Sequence, residues 1–199
     1  MKHLVISRYK EDVSWIDKIP TDTDIKIYLY NKGESCGRDN EIMLPNIGRE
    51  AHTFLHHIIG NWFSFPDYFI FCQGNPFDHD SKFLEKVLDD KSYDEKKLVY
   101  LSNSNIIEGF KGNKGHQHPN GIDIKYYLGQ LQMTTKQTSI NFAPGAQYIV
   151  PMQKVRRFGV HTYKRMIGII ENSENPENPI EAYAYERIWS ILYNKTNEN

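Results

Sequence analysis

Asp78 and Asp80 stand two residues apart just past residues 68–72, the most apolar run in the chain. In an extended segment that spacing projects both carboxylates to one side. Paired carboxylates suit a hard divalent cation such as Mn²⁺ or Mg²⁺, which could bridge a diphosphate and neutralise the charge building on a departing nucleotide. Asp80 could equally cap a helix that starts near Ser81. A second chemical stretch is 44–52 (LPNIGREAH), which opens a helix with unpaired backbone N–H groups, a glycine for close approach and Arg49. Such a helix start favours phosphate.

In open α/β sheets ligands bind beyond the carboxyl ends of the strands, so the residues that follow each expected strand carry most weight. The first strand delivers Ser7, Arg8 and Tyr9; the second delivers Asn31 and Lys32; the central one delivers Gln73 and then Asp78, His79 and Asp80. On the helix after Asn46, Arg49, His52 and His56 share the face opposite the apolar stripe, either as a ligand surface or as a solvated one. The order His-Thr-Phe-Leu-His lacks the glutamate of a zinc protease. Lys111, Lys114, His116 and His118 lie in a glycine-rich stretch, 108–121, that could fold over a diphosphate as a lid. In the last helix Glu186 sits at the edge of the stripe made by Ala182, Tyr185, Trp189 and Leu192, placed to act as general base on an acceptor hydroxyl or to form an ordinary helical ion pair. Arg187 points away on the same wheel.

The elements that must hold these groups alternate. Residues 3–9 read as a buried strand, 13–19 as a short helix ended by Pro20, and 25–30 as a period-two strand before the turn Asn31-Lys32-Gly33. Asn46 is the expected cap of a helix over 47–62, on which Ala51, Phe54, Leu55, Ile58, Ile59 and Trp62 form one stripe. Residues 68–72 read as a strand covered on both faces. Helices are expected over 81–88, 122–131, 160–170 and 182–193, strands over 98–101 and 146–150, and a surface linker over 171–179 (ENSENPENP). This alternation predicts one α/β domain with a mostly parallel central sheet flanked by helices.

Composition narrows the function classes. The 199 residues are 39% hydrophobic and 13% aromatic, enough for one core, and the formal net charge of -1 provides no bulk basic field to gather nucleic acid. No run approaches the length of a membrane span, and residues 1–9 are too short and polar for a signal peptide. Cys36 and Cys72 sit in unlike contexts, so a disulfide is not expected. Together these point to a cytoplasmic protein, or to one domain of a longer one.

The blocks LPNIGREAHTFLHHI, PDYFIFCQGNPFDH, FAPGAQYIVP and AYERIW resemble a widespread family of largely uncharacterised proteins related to GT-A-type glycosyltransferases. The chain is also similar over nearly its full length to the amino-terminal glycosyltransferase domain of a large chlorovirus protein. The resemblance implies a GT-A fold with a nucleotide-binding half and a C-terminal acceptor half, and, if the source is viral, a place in the host cytoplasm. It implies transfer of a glucose- or rhamnose-type hexose or deoxyhexose from a UDP-sugar to a glycan hydroxyl of a glycoprotein, with Mn²⁺ or Mg²⁺ as cofactor. By position it implies that Ser7, Arg8 and Tyr9 line the base and ribose pocket, Asp78 and Asp80 serve the metal, Arg49 lies near the nucleotide and Glu186 near the reacting sugar. In the family the Asp-x-Asp triplet follows its strand at once, whereas here 73–77 intervene, which leaves the direct ligand open among Asp78, His79 and Asp80. Two rival functions use the same residues: a metal-dependent phosphohydrolase that adds His116 and His118, and a non-catalytic nucleotide-sugar-binding module.

Overall fold

The computed structural model describes residues 1–110 and 122–194. In chain order the strands are β1 (Lys2–Arg8), β2 (Ile25–Asn31), β3 (Glu41–Met43), β4 (Tyr68–Gln73), β5 (Val99–Tyr100), β6 (Ile106–Gly109), β7 (Ser139–Phe142) and β8 (Tyr148–Pro151). The helices are α1 (Arg49–Gly60), α2 (Phe83–Leu88), α3 (Ile124–Gln130), α4 (Met152–Arg156), α5 (Val160–Glu171) and α6 (Ile180–Asn194).

Six strands form one sheet in the order β3-β2-β1-β4-β8-β5. The first four pair in parallel, and β8 runs antiparallel between β4 and β5. The chain is thus α/β, with a mostly parallel central sheet flanked by helices. Alternation along the strands divides the core into two layers. Val5, Phe69 and Phe71 face α1 and α6, whereas Leu4, Ile6, Ile70 and Cys72 face Trp15, Ile16, Phe83 and Val87 on the other side. Leu4, Val5 and Ile6 are all fully buried, because a central parallel strand has no wet face.

Strand order reverses at β1: β2 and β3 lie to one side of it and β4 to the other. The register aligns Ser7 with Tyr30 of β2 and with Gln73 of β4, and Arg8 with Asn31. Three carboxyl ends therefore finish at one level, and a crevice opens above them at the switch point.

Several expectations require correction. Helix α1 begins at Arg49, not at residue 47, and its cap is Gly48 in a left-handed conformation (φ 65°) with no side-chain hydrogen bond, so Asn46 is not the cap. His52 does not face solvent; it packs between α1 and α5, its Nε2 3.3 Å from Glu171 Oε1. Arg187 does not point away: it is buried, hydrogen-bonded to Glu108, with its guanidinium 4.5 Å from the Phe142 ring centre. The cause is the antiparallel pair β6–β7, which roofs that face of α6; Glu108 and Gly109, expected in a loop, belong to β6. The remainder of that stretch, with Lys111, Lys114, His116 and His118, lies outside the described residues.

Beneath the sheet, His57 is completely buried; its Nε2 is 3.1 Å from His3 Nδ1 and its Nδ1 2.9 Å from the Tyr30 hydroxyl. Burial, reinforced by mutual repulsion and by Lys26, lowers His57 to about 3, and burial with Lys26 nearby lowers His3 to about 4. Both rings are neutral hydrogen-bonding parts of the core at physiological pH.

Candidate functional site

Above the ends of β1, β2 and β4 lies a cavity of about 400 Å³ lined by Ser7, Arg8, Tyr9, Glu11, Lys32, Asn46, Arg49, Glu50, Gln73, Glu177 and Asn178. Its size suits a small organic ligand. Ser7, Arg8, Tyr9, Lys32, Arg49 and Gln73, proposed from sequence as nucleotide contacts, thus come together.

Each is held in a specific way. The Arg8 guanidinium donates from Nε to the Glu11 carbonyl (2.9 Å) and from Nη1 to Asn31 Oδ1 (2.8 Å) and the Glu34 carbonyl (2.7 Å). These acceptors are neutral, and among the described residues no carboxylate forms an ion pair with Arg8, so its charge is oriented but not neutralised. Asn31 itself is fully buried and does not line the cavity; it accepts from Arg8 and from Gly33 N–H, and donates to Glu34 and Glu41. Its part is to fix Arg8. The Lys32 ammonium sits on the carbonyls of Ile47 and Arg49. Burial lowers Lys32 to about 7, with Glu50 opposing the shift and Arg49 adding to it.

Arg49 takes a positive φ of 50°, directly after Gly48. A non-glycine residue there is strained, and such strain gathers at functional sites. Gly48 is required twice over, since a Cβ would come 2.4 Å from Ile170 Cγ2 in addition to the positive φ. The Arg49 side chain extends over Tyr183, 4.8 Å from the ring centre, and its Nη1 donates to the Tyr183 hydroxyl at 3.1 Å. Asn178 accepts from the same nitrogen at 3.4 Å, and Gly48 N–H donates to the Pro176 carbonyl at 2.7 Å. The segment read as a surface linker is therefore folded against the cavity and supplies Glu177 and Asn178 to its wall.

Glu50, also missed by the sequence reading, is a buried carboxylate at the cavity. Glu186 lies behind the wall, nearly buried, with Oε1 accepting from Gly145 N–H at 2.6 Å and Oε2 3.3 Å from Arg187 Nη1. Burial, then repulsion from Glu50, raises Glu186 to about 7, although Arg187, Gly145 N–H and Arg49 pull it down. The loop that holds it is strained as well: Gly145 has φ 75° and Ala146 φ 53°. A Cβ on Gly145 would come 2.6 Å from His79 Cδ2 and 3.2 Å from Gln73 Nε2, so this loop, His79 and Gln73 form one packed unit.

The Asp78–Asp80 pair departs from expectation. The segment is a 3₁₀ turn, Pro76–Asp78, and not an extended strand. Asp78 is exposed and accepts from Asn75 Nδ2 at 2.8 Å. Asp80 is buried, with the Lys86 ammonium 2.5 Å from Oδ2 and Lys82 N–H donating to Oδ1 at 3.1 Å. Neither lines the cavity, and His79 packs on Gly145 instead. Among the described residues no three His, Cys, Asp or Glu side chains gather in a metal-ligating group. Because Asp80 already faces an ammonium, the two carboxylates do not fit a shared divalent cation; its local bonds resemble those of a cap.

No helix among the described residues is long and apolar enough to cross a membrane. No curated protein and no solved structure gives a significant match to the chain. One family model does match, over residues 4–199 and so over nearly the entire sequence, and the chain belongs to that family, described as proteins of unknown function, DUF3431.

Proposed function

We propose that the chain is a GT-A-type glycosyltransferase that binds a UDP-sugar in the β1–β4 crevice and transfers its hexose or deoxyhexose to a glycan hydroxyl. The observation that carries this reading is the convergence of Arg8, Arg49 and Lys32 with the start of α1 around one cavity at the switch point of a mostly parallel sheet. Arg8 and Arg49 are permanent cations placed to meet phosphate oxygens, and guanidinium groups bind these bidentately. Tyr9, half-exposed at the rim, offers a ring face to the base.

Chemistry then follows from the carboxylates beside Arg49. When an acceptor hydroxyl attacks the anomeric carbon, its proton passes to a carboxylate while the sugar–phosphate bond breaks and the diphosphate leaves with the electron pair. Glu50 is the buried carboxylate among the three that line the cavity, with Glu11 and Glu177, and Glu186 behind it holds a proton up to about pH 7. Glu186 is therefore read as a partner of Glu50 in acid–base work, with Arg49 next to both.

A test is to supply UDP-glucose and UDP-rhamnose with a mixed glycan acceptor and follow UDP release. Release that requires the acceptor supports transfer. Phosphate or nucleotide released equally without acceptor would assign the site to a phosphohydrolase, and tight UDP binding without release would make it a binding module.

A further inference from the structure

Helix α1 runs from the cavity at Arg49 to Gly60, about 18 Å away at 1.5 Å per residue, and the turn that follows it carries Phe63, 97% exposed. Exposed apolar residues scattered singly need no explanation, but this one stands beside a cationic surface. Between Asp123 and Glu171 the sequence contains no acidic residue, while Lys154, Arg156, Lys164 and Arg165 fall within it. A chain of net charge -1 has concentrated positive charge in this part.

The fold brings that stretch to Phe63. Arg156 Nη2 donates to the carbonyl of Trp62 at 3.4 Å, and its guanidinium lies 4.9 Å from the ring centre of Phe65. The Trp62 ring is 6.0 Å from that of Tyr163, whose hydroxyl ties α5 to α4 through the Val155 carbonyl at 2.8 Å. Helix α5 buries Tyr163, Met166 and Ile170, and turns His161, Lys164 and Arg165 outward. The nearby acidic groups are already paired: Asp67, whose carbonyl accepts from Met152 N–H at 2.8 Å, holds the amino terminus at 2.6 Å, and Asp94 holds Lys97 at 3.3 Å.

We propose that this end of the molecule, opposite the cavity, docks on an anionic lipid surface, with Phe63 entering the headgroup layer and Arg156, Lys164 and Arg165 facing lipid phosphates and carboxylates. An exposed ring ahead of a cationic collar has the chemistry of interfacial attachment, in which apolar burial and charge attraction add. Trp62, partly exposed next to Phe63, suits the same boundary. Attachment here leaves the cavity open to the aqueous side.

Vesicle sedimentation tests it with the whole chain, comparing phosphatidylcholine alone with phosphatidylcholine containing phosphatidylserine. Binding should require phosphatidylserine and weaken as salt is raised. Phe63→Ser should weaken it about tenfold, and the pair Lys164→Glu and Arg165→Glu more strongly still, at about fivefold per charge, with the melting temperature unchanged. Equal binding to both vesicles, or none, would overturn the proposal. So would a Phe63→Ser variant that binds as tightly as the parent while charge reversal removes binding, since that is the behaviour of a plain polyanion site such as one for nucleic acid.

Discussion

The loops that follow β1 and β4 both carry charged side chains at the same end of the sheet, and they differ in what those charges already touch. After β1, Arg8 is gripped by three carbonyls and an amide oxygen, all uncharged, and presents its charge to a cavity. After β4, Asp80 faces the Lys86 ammonium and is buried beneath it. The chemistry open to a charged residue depends on whether the protein has answered the charge internally. An answered charge supports the fold; an unanswered one awaits a ligand.

The largest effect expected from this contrast is at Arg187, whose charge is answered inside the protein by Glu108, with Glu186 also 3.3 Å away. Arg187→Ala leaves a buried carboxylate without its partner and should cost about 3–5 kcal/mol in urea unfolding. Next comes Arg49, whose Nε lies 3.6 Å from Glu50 Oε2: Arg49→Ala should lower UDP affinity roughly tenfold to a hundredfold, as expected for a charged hydrogen bond worth about 1.5–3 kcal/mol, with a smaller loss of stability than at Arg187 because Arg49 is itself part-exposed. An Arg49 variant that unfolds easily but binds normally would reverse the assignment.

Acid should act through His3 and His57. Their folded values, about 4 and about 3, lie below the ordinary histidine value of 6.5, so on acidification the unfolded chain takes up protons first. Their contribution to stability is complete above about pH 6.5 and is lost as pH falls toward 4 and then 3. Glu186 acts in the opposite sense: raised to about 7, it holds its proton in the folded chain, and its contribution declines as pH climbs from 4.5 through 7. Urea midpoints measured from pH 7.5 to 4 should therefore fall on the acid side, and Glu186→Gln should remove the neutral limb. The smallest effect is at Asp80: Asp80→Asn should leave UDP affinity unaltered and cost about 1–3 kcal/mol of stability.

Much of this was legible in the sequence because strand ends in an α/β sheet have a fixed meaning. Apolar runs identified β1, β2 and β4, and the polar residues after them identified most of the cavity wall. What escaped depended on tertiary contacts. Residues 171–179 are polar and proline-rich, as a linker would be, and tertiary bonds draw them over the cavity: Gly48 N–H on the Pro176 carbonyl, and Arg49 and Tyr183 on Asn178. Glu50 sits beside Arg49 in the stretch already singled out, but its direction depends on a left-handed turn at Gly48 and Arg49 that no propensity predicts. Arg187 appeared solvent-facing because the β6–β7 roof rests on strands of only four residues each. Asp78 and Asp80 misled because the proline at 76 starts a 3₁₀ turn, which breaks the period-two geometry on which their pairing relied.

Titration calorimetry with UDP, with and without Mn²⁺, tests the central claim most directly when the variant combining Arg8→Ala and Arg49→Ala is set against Asp80→Asn. Loss of binding in the first and parent-like affinity in the second is the predicted result. Binding that survives without the two arginines and collapses without the Asp80 carboxylate would contradict the account, and would return the nucleotide to the turn after β4.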